Sequence, residues 1–207
     1  MQSHTSTNQG IMTRIRRLLA PALLLGFALA RPAAAQTPLP LSFEVRGGVG
    51  LPTGDFNDGA GTGWILGGTV RYRAQAVIDV YGGFDFASFP PDEEEPGVDI
   101  AFRDYGVRAG VRYELMAVAP AITPWLEAGL LVNRTSVKAS DDEVSATVDA
   151  DWALGFESGA GLSISIGPRA ALTPGVRFRS HKADFGDEIG SSTASYIVVD
   201  LGVLVRL

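Results

Sequence analysis

The sequence has no cysteine, only two lysines and no apolar run long enough for a membrane-spanning helix. Without thiols the chain has no disulfide, no metal–thiolate site and no cysteine nucleophile. Its longest apolar stretch, Leu18 to Ala30, has ~13 residues, too few to cross ~30 Å of hydrocarbon as a helix. From residue 41 onwards we also find no segment of useful length with the period of an amphipathic helix. Helical membrane anchors and helix bundles are therefore poor interpretations of this chain.

The first residues have the features of an export signal. Three arginines precede the apolar run and a small-residue cleavage pattern follows it: Arg14, Arg16, Arg17 and Ala33-Ala34-Ala35. We expect a signal peptide at 1–35, export through the Sec pathway and one mature domain at 36–207. Four of the 17 basic residues and none of the 23 acidic residues precede that cleavage site, so the mature chain would have 13 basic and 23 acidic residues, a net charge of −10. This acidic balance argues against nucleic acid as a partner.

Eight segments of the mature chain alternate apolar and polar residues with a period of two, which is the pattern of β-strands. They lie at 41–50, 64–73, 77–86, 104–115, 122–133, 148–164, 169–179 and 196–207. Strands of about ten residues have the length that a tilted transmembrane strand needs. The last segment extends to the end of the chain, and we expect it to close a ring against the first.

The connections between these segments alternate in length. Short links lie around 74–75, 116–121 and 167–168, whereas long links lie at 51–62, 87–101, 134–147 and 181–193. Short turns at one end and long loops at the other are the plan of an up-and-down outer-membrane barrel, and an even strand number places both termini at the short-turn end. The sequence therefore predicts an all-β fold, an eight-stranded antiparallel up-and-down transmembrane β-barrel.

Two features indicate which face of the strands is outside. Aromatic residues of the apolar face form two groups near the strand ends, as amphipathic rings do at two membrane interfaces. Phe43, Tyr72 and Tyr113 lie toward the short turns, and Trp64, Phe84, Phe86, Tyr105, Trp152 and Phe178 lie toward the long loops. Every base on the polar face is arginine, which suits confined ion pairs, while Lys138 and Lys182 fall in the loops. We therefore predict a lipid-facing apolar exterior and a polar, filled lumen.

The predicted lumen is filled by a network of paired charges. Its members are Glu44, Arg46, Arg71, Asp79, Asp104, Arg108, Arg112, Glu127, Asp151, Glu157, Arg177, Asp200 and Arg206. An eight-stranded barrel has an interior just wide enough for side chains to fill. We therefore expect the charged side chains to interlock and to leave no wide water channel.

Two stretches resemble a known family. Phe43-Glu-Val-Arg-Gly-Gly-Val-Gly-Leu-Pro-Thr-Gly-Asp-Phe56 resembles the first strand and loop of small outer-membrane barrel proteins of the OmpX, OmpA and opacity-like group. The last strand resembles their assembly signal, carried here by Val199, Leu201, Gly202, Val203, Val205 and Leu207. Such proteins usually end in Phe or Trp, whereas this chain ends in Leu207.

The resemblance implies a monomeric, non-enzymatic protein of a Gram-negative-type outer membrane, without a cofactor. Its expected partners are outer-membrane lipid and lipopolysaccharide, and the barrel-assembly machinery that would recognise the last strand.

The long-loop segments are acidic, which leaves two interpretations open. Carboxylates suit Ca²⁺ or Mg²⁺ and could bridge to lipopolysaccharide phosphates. The weak candidates are Asp92, Glu93, Glu94, Glu95, Asp141, Asp142 and Glu143. The simpler interpretation is a solvated, repulsive surface, and we favour it, so no metal site is predicted. The predicted function is a structural or surface-interaction role through these acidic loops.

Three other functions fit parts of the pattern. A lipid-A-modifying enzyme would need His181 with Ser180 and Asp184, but a lone histidine at a loop edge is more typical of polar surface. Glycines on the inner face favour a small pore, whereas the many charged side chains argue against it. A soluble exported barrel that binds a lipid, as lipocalins do, is the third alternative, since Gly61-Thr-Gly-Trp64 is faintly similar to a lipocalin feature.

Overall fold

The structure is a computed structural model that describes residues 40–92, 99–140, 145–186 and 190–207. Its strands are β1 (Leu41–Thr53), β2 (Gly63–Gln75), β3 (Ile78–Phe89), β4 (Asp99–Glu114), β5 (Ile122–Ser140), β6 (Ser145–Asp149), β7 (Ala153–Ser165), β8 (Ala170–Asp184) and β9 (Ser191–Arg206), with a 3-10 helix η1 (Gly54–Asp58) after β1. No helix in this part of the chain is long and apolar enough to cross a membrane. The predicted signal peptide lies outside the described residues and stays a prediction.

The strands form one closed antiparallel ring. The order around it is β1, β2, β3, β4, β5, β7, β8 and β9, and β9 pairs with β1 along most of its length. The short strand β6 pairs only with the end of β5, beyond the stretch of β5 that pairs with β7. The ring therefore has eight strands, which confirms the predicted barrel and the predicted pairing of the last strand with the first. Closure also leaves no strand edge in the apolar layer, as lipid requires.

The strands extend further toward the long loops than the alternation predicts. β5 continues to Ser140, β8 to Asp184, and β9 already begins at Ser191. The outward positions of these ends are polar, so the apolar outward period disappears although the backbone ladder continues. Ladder hydrogen bonds need no apolar face, and this is why the predicted loops at 134–147 and 181–193 are longer than the observed ones.

The sixth predicted segment is two strands separated by a β-bulge. Asn133 pairs with Ala153 and Ser136 pairs with Asp149, so three residues, 150–152, lie opposite two residues of β5. The extra residue inverts the inside–outside alternation in β6. Asp149 therefore lies on the outer face, where it pairs with Arg134 at 3.1 Å. A regular alternation through the predicted segment 148–164 would have put it on the inner face together with Asp151.

The two faces of the sheet are reversed relative to a water-soluble barrel. On β1, the outward Val45 is 68% exposed, while its neighbours Glu44 and Arg46 are each 1% exposed in the lumen. Aromatic pairs lie on the outer face toward the long loops, including Tyr105 and Trp152 with ring centroids 5.7 Å apart. Apolar side chains outside and charges inside confirm the predicted lipid-facing exterior. They also exclude the lipocalin-like alternative, which needs an apolar lumen and a polar exterior.

Candidate functional site

The middle of the lumen is filled by arginines that converge on two carboxylates. Arg46, Arg108 and Arg179 approach the carboxylate of Asp85 with N–O distances of 2.8, 2.7 and 2.7 Å. Arg108 and Arg179 also contact Glu157 at 2.8 and 3.1 Å. The five residues come from five strands and each is at most 5% exposed. This cluster, which we call the central ion cluster, therefore ties the barrel wall together across the lumen.

A second cluster lies toward the short turns. Arg177 bridges Glu127 and Asp200, and Arg112 pairs with Glu127 at 2.6 Å. Both guanidinium groups lie over the ring of Trp125, 3.8 Å from its centroid for Arg112 and 5.0 Å for Arg177. Stacked guanidinium groups keep their in-plane N–H groups available for carboxylates. The indole and the ion pairs therefore fill this level of the lumen together.

At the short-turn end the lumen widens. Arg71 pairs with Glu44, and Arg73 pairs with Asp79 and with Glu114, at 2.7 Å for Glu114. A cavity of about 470 Å³ opens beside these pairs, and Arg73 is partly exposed in it. The pair of Arg73 and Glu114 therefore meets water, whereas Arg71 and Glu44 are as buried as the central ion cluster.

The structure places eleven of the thirteen predicted network residues in the buried lumen: Glu44, Arg46, Arg71, Asp79, Asp104, Arg108, Arg112, Glu127, Glu157, Arg177 and Asp200. Asp151 instead lies exposed in the bulge between β6 and β7. Arg206 lies partly exposed beside the cavity at the short-turn end, and it makes no ion pair with any residue that the structure describes. Each lies where the regular inward alternation ends, at a bulge or at a strand terminus.

Four residues that were not in the predicted network also form ion pairs in the lumen: Arg73, Asp85, Glu114 and Arg179. The alternation puts all four on the polar face, so their inward direction is visible in the sequence. What the sequence does not show is that Asp85 accepts three arginines at once, since that depends on distances across the ring.

A buried polar group lies above the central ion cluster, toward the long loops. Nε2 of His181 is 3.1 Å from Oγ1 of Thr135 and 3.4 Å from Oδ1 of Asp104. Asn133 and the hydroxyl of Tyr196 both donate hydrogen bonds to Oδ2 of Asp104, at 2.9 and 2.7 Å. His181 is therefore a lumen residue of β8, 3% exposed, and not the loop-edge residue that the sequence suggested.

The constellation required by the lipid-A enzyme hypothesis is not brought together. Ser180 hydrogen-bonds Ser195 at 2.8 Å on the outer face, and Asp184 pairs there with Lys182 at 3.0 Å, whereas His181 faces the lumen. Both polar contacts of His181 also use the same ring nitrogen. The imidazole therefore does not bridge an acid and a hydroxyl through opposite nitrogens, as a catalytic triad requires.

Above this group, helix η1 packs into the mouth of the barrel. Its Phe56 contacts Phe89, Phe102 and Tyr196, with ring centroids 5.2, 6.1 and 6.3 Å apart. We call these four residues the aromatic plug. An apolar cavity of about 350 Å³ lies beside it. The lumen is thus closed by charge in the middle and by aromatic rings at the long-loop end.

The weak metal candidates fall mostly outside the described residues: Glu93, Glu94, Glu95, Asp141, Asp142 and Glu143 do, and only Asp92 is described. Within 40–92, 99–140, 145–186 and 190–207, no three His, Asp or Glu side chains are grouped in a way that could hold a metal ion. The acidic loop hypothesis therefore gains no site from the described part of the chain.

The predicted assembly-signal residues divide between the two faces of β9. Val199, Leu201, Val203 and Val205 are between 43% and 53% exposed on the outer face, and Leu207 beyond the strand is also exposed. Gly202 is inside, where a Cβ would collide with Thr173 and Glu44. The N–H of Leu207 donates a hydrogen bond to the carbonyl of Leu41 at 3.0 Å, so pairing with β1 continues to the last residue.

Several barrels of known structure share this fold. Neisserial surface protein A is 18% identical, with a TM-score of 0.61 over 83% of this chain and 100% of that chain. Ail of Yersinia pestis, in a complex with the heparin analogue sucrose octasulfate, is 17% identical, with a TM-score of 0.52 over 81% and 97%. OprG of Pseudomonas aeruginosa is 13% identical, with a TM-score of 0.50 over 83% and 99%. No protein with a curated description matches the sequence.

The family comparison covers most of the chain. Residues 20–205 match the model for the outer membrane protein beta-barrel domain. This match agrees with the closed ring, the apolar exterior and the solved barrels of similar fold. The chain therefore belongs to the outer membrane protein beta-barrel domain family and is an outer-membrane β-barrel protein.

Proposed function

We propose that this protein is a sealed, non-enzymatic barrel that serves as a membrane-anchored scaffold for contacts at the cell surface. The observation that carries the proposal is the filled lumen, in which the central ion cluster and the aromatic plug follow one another along the axis. An ion crossing the barrel would have to separate buried charge pairs, which is costly because the freed charges have no water to solvate them.

The glycines of the inner face do not open a pore. A Cβ at Gly110 or at Gly129 would lie 2.6 Å from the hydroxyl of Tyr81, and a Cβ at Gly161 would collide with the indole of Trp125. Large side chains of neighbouring strands therefore occupy the space above these glycines. This arrangement supports a filled barrel over the small-pore alternative.

Planar bilayers test the sealed lumen. We expect purified, refolded protein to insert without stable conductance steps above the noise of an empty bilayer. A channel-forming porin in the same bilayers is the positive control. Reproducible steps that scale with the amount of folded protein would replace this proposal with the small pore.

The non-enzymatic part of the proposal rests on the separation of His181 from Ser180 and Asp184. Lipid A from cells that express the protein should have the same mass spectrum as lipid A from cells without it. A new or missing acyl chain that disappears in a His181→Ala variant would establish lipid A modification instead.

The surface role that we propose belongs to the long-loop end. Asp55, Asp58 and Asp92 are exposed there, and the sequence places further acids in the same loops. An acidic rim favours cations and basic surfaces and repels anionic ones. We propose that contacts with ions, host surfaces or neighbouring proteins are made through this rim.

A basic patch on the outer face favours a contact with lipopolysaccharide in addition. Arg103 on β4 lies opposite Ser136, which Arg134 and Lys138 flank on the same face of β5. Diagonal neighbours on one face of a sheet lie within reach of long side chains. The three bases lie next to and beyond Tyr105, at the level where an aromatic side chain marks the outer membrane interface. Phosphate groups of the outer leaflet would meet them there.

Native mass spectrometry of the detergent-extracted protein tests the lipid contact. A variant with Arg103→Gln, Arg134→Gln and Lys138→Gln should retain fewer lipid A molecules than the unmodified protein. Lys182→Gln is the control, because Lys182 is also an outward base, paired with an acid as Arg134 is, but it lies on β8, away from the patch on β4 and β5. Equal retention by all three proteins would remove lipopolysaccharide as a partner of this patch.

We further propose that the barrel is a monomer and that the assembly machinery recognises β9. Leu207 takes the place of the usual terminal aromatic residue, and its side chain is exposed on the outer face. Leu207→Asp should lower the amount of heat-modifiable, folded protein in the outer membrane, while Leu207→Phe should not. Equal assembly of the Asp variant would argue against this role.

A further inference from the structure

The long-loop end of the lumen changes from ionic to apolar. Level with His181 and beyond it, the inward positions of four strands are apolar, and their side chains line the cavity of about 350 Å³: Phe102 on β4, Val137 on β5, Ala183 on β8 and Ala194 on β9. Inward positions near the mouth of an open barrel would meet water, where polar side chains are the usual choice. The central ion cluster already closes the lumen below, so closure of the barrel does not explain why the mouth is lined by apolar side chains.

The β-bulge at 150–152 contributes to this lining. By inverting the alternation of β6, it turns Val148 into the cavity, opposite Val137 on β5. Val148 nevertheless stays 41% exposed, because no described side chain fills the space in front of it. Bulges often re-aim a side chain toward a functional site. Here the bulge enlarges an apolar surface that the described residues leave uncovered.

The cavity is a pocket and not the entrance of a channel. Thr135 lies at its base, with its hydroxyl engaged by His181, and Phe56 of the aromatic plug forms part of its wall. The central ion cluster closes the lumen below. Since the lining side chains come from strands around the ring, the space lies within the barrel mouth, where a folded protein partner has no room.

We propose that this cavity is a binding site for an uncharged, hydrocarbon-rich small molecule. Its volume is more than twice that of the ~150 Å³ apolar cavity that holds benzene and falls at the lower end of ligand pockets, which corresponds to roughly 10–15 non-hydrogen atoms. Among the described lining residues there is no base, and the one carboxylate is that of the solvent-exposed Asp55. An anion would therefore gain no counter-ion there, a cation would gain only one that water screens, and either would lose its hydration. The site does not depend on the proposed surface role, because a sealed barrel can bind such a molecule with or without rim contacts.

Methyl NMR tests the binding in lipid nanodiscs. The probe is p-cymene, an uncharged hydrocarbon, titrated into valine-methyl-labelled protein. The methyl signals of Val137 and Val148 should shift along a saturable curve. Those of Val107 and Val203 face lipid and should shift only in proportion to the probe dissolved in the bilayer. Non-saturable shifts at Val137 and Val148 would overturn the binding site. The sealed lumen is tested separately, by the absence of conductance in planar bilayers, and would stand in that case.

A filled cavity provides the second arm of the test. Ala194→Phe should abolish the saturable shifts, because Ala194 lines the cavity and is 2% exposed. Ser195→Phe is the matched control, since it adds the same ring one residue away on the outer face, and it should keep them. If the Ala194 variant does not fold, as judged by heat-modifiable mobility, Ala183→Leu takes its place. Saturable shifts of wild-type size in a folded cavity-filling variant would contradict the proposal.

Discussion

At the scale of single residues, Arg177 shows how the lumen depends on buried cations that each neutralise more than one carboxylate. It neutralises Glu127 and Asp200 together, contacts the ring of Trp125, and is 1% exposed. A neutral side chain of similar size would leave Glu127 with Arg112 alone, and Asp200 with Arg46 alone at 3.6 Å. The loss is larger than the value of the ion pair itself, because buried carboxylates that lose a cation cannot be rehydrated in the filled lumen.

Arg177→Met is therefore expected to cost about 3–5 kcal/mol of unfolding free energy. Urea unfolding of protein refolded in lipid vesicles measures this quantity. The matched control is Arg103→Met, because Arg103 is exposed on the outer face and makes no ion pair with a described residue. Its expected change is within about 0.5 kcal/mol. Similar losses for the two variants would show that the lumen charges are not specifically coupled.

At the scale of elements, each strand directs apolar side chains to the lipid and polar side chains to the lumen, because successive residues point to opposite faces. On β4, Val107 is 55% exposed outside and the adjacent Arg108 is 5% exposed inside, where it contacts Asp85 and Glu157. Neighbouring residues of one strand thus require opposite chemistry. An apolar substitution that is conservative on the outer face is disruptive on the inner one. The backbone is the same on both faces, but the outer face meets lipid and the inner face meets buried charges.

Val107→Arg tests the orientation of the faces, since a guanidinium near the middle of the apolar band should cost about 2–4 kcal/mol of unfolding free energy. Val107→Leu, which keeps an apolar side chain, should change it by less than about 1 kcal/mol. Both are measured by the same urea unfolding in vesicles. A neutral Val107→Arg together with a stabilising Arg108→Val would mean that the faces have been assigned the wrong way round.

At the scale of the whole molecule, closure of the ring depends on a close approach between its first and last strands. Gly48 on β1 lies opposite Asp200 on β9, and a Cβ at Gly48 would come within 2.2 Å of the carbonyl oxygen of Val199. Backbone cannot move aside as the end of a side chain can. The absence of a side chain at this position is therefore a condition of closure.

Gly48→Val is expected to reduce strongly the fraction of protein that reaches the closed, heat-modifiable state, and Gly48→Ala should cost about 1–3 kcal/mol. The control is Gly68→Val on β2, where nothing lies within 4 Å of the added Cβ. That variant should assemble normally. Gel mobility of unheated samples after refolding reports the outcome, and normal closure of Gly48→Val would contradict the close approach between β1 and β9.

Much of the architecture could be predicted from the sequence, because it follows from a local pattern. The segment from Tyr105 to Leu115 shows its strand, its two faces and its inward arginines without reference to any other segment. The strand ends beyond the apolar layer, such as Ser140 on β5, could not be predicted, since pairing there is carried by backbone groups that all residues share. The bulge at 150–152 was missed for a related reason: an extra residue is defined only by the partner strand opposite it.

The sequence by itself determined the strand number, the inside-out arrangement and the pairing of the C-terminal strand with β1, because a period of two assigns each residue to a face. Only the tertiary structure decided which charges meet: Asp85 with three arginines, Arg177 with two carboxylates, and His181 inside the lumen. It also decided that Val148 faces an apolar cavity at the mouth. These contacts join strands far apart in the chain, and their geometry follows from the stagger and closure of the ring, which no single segment encodes.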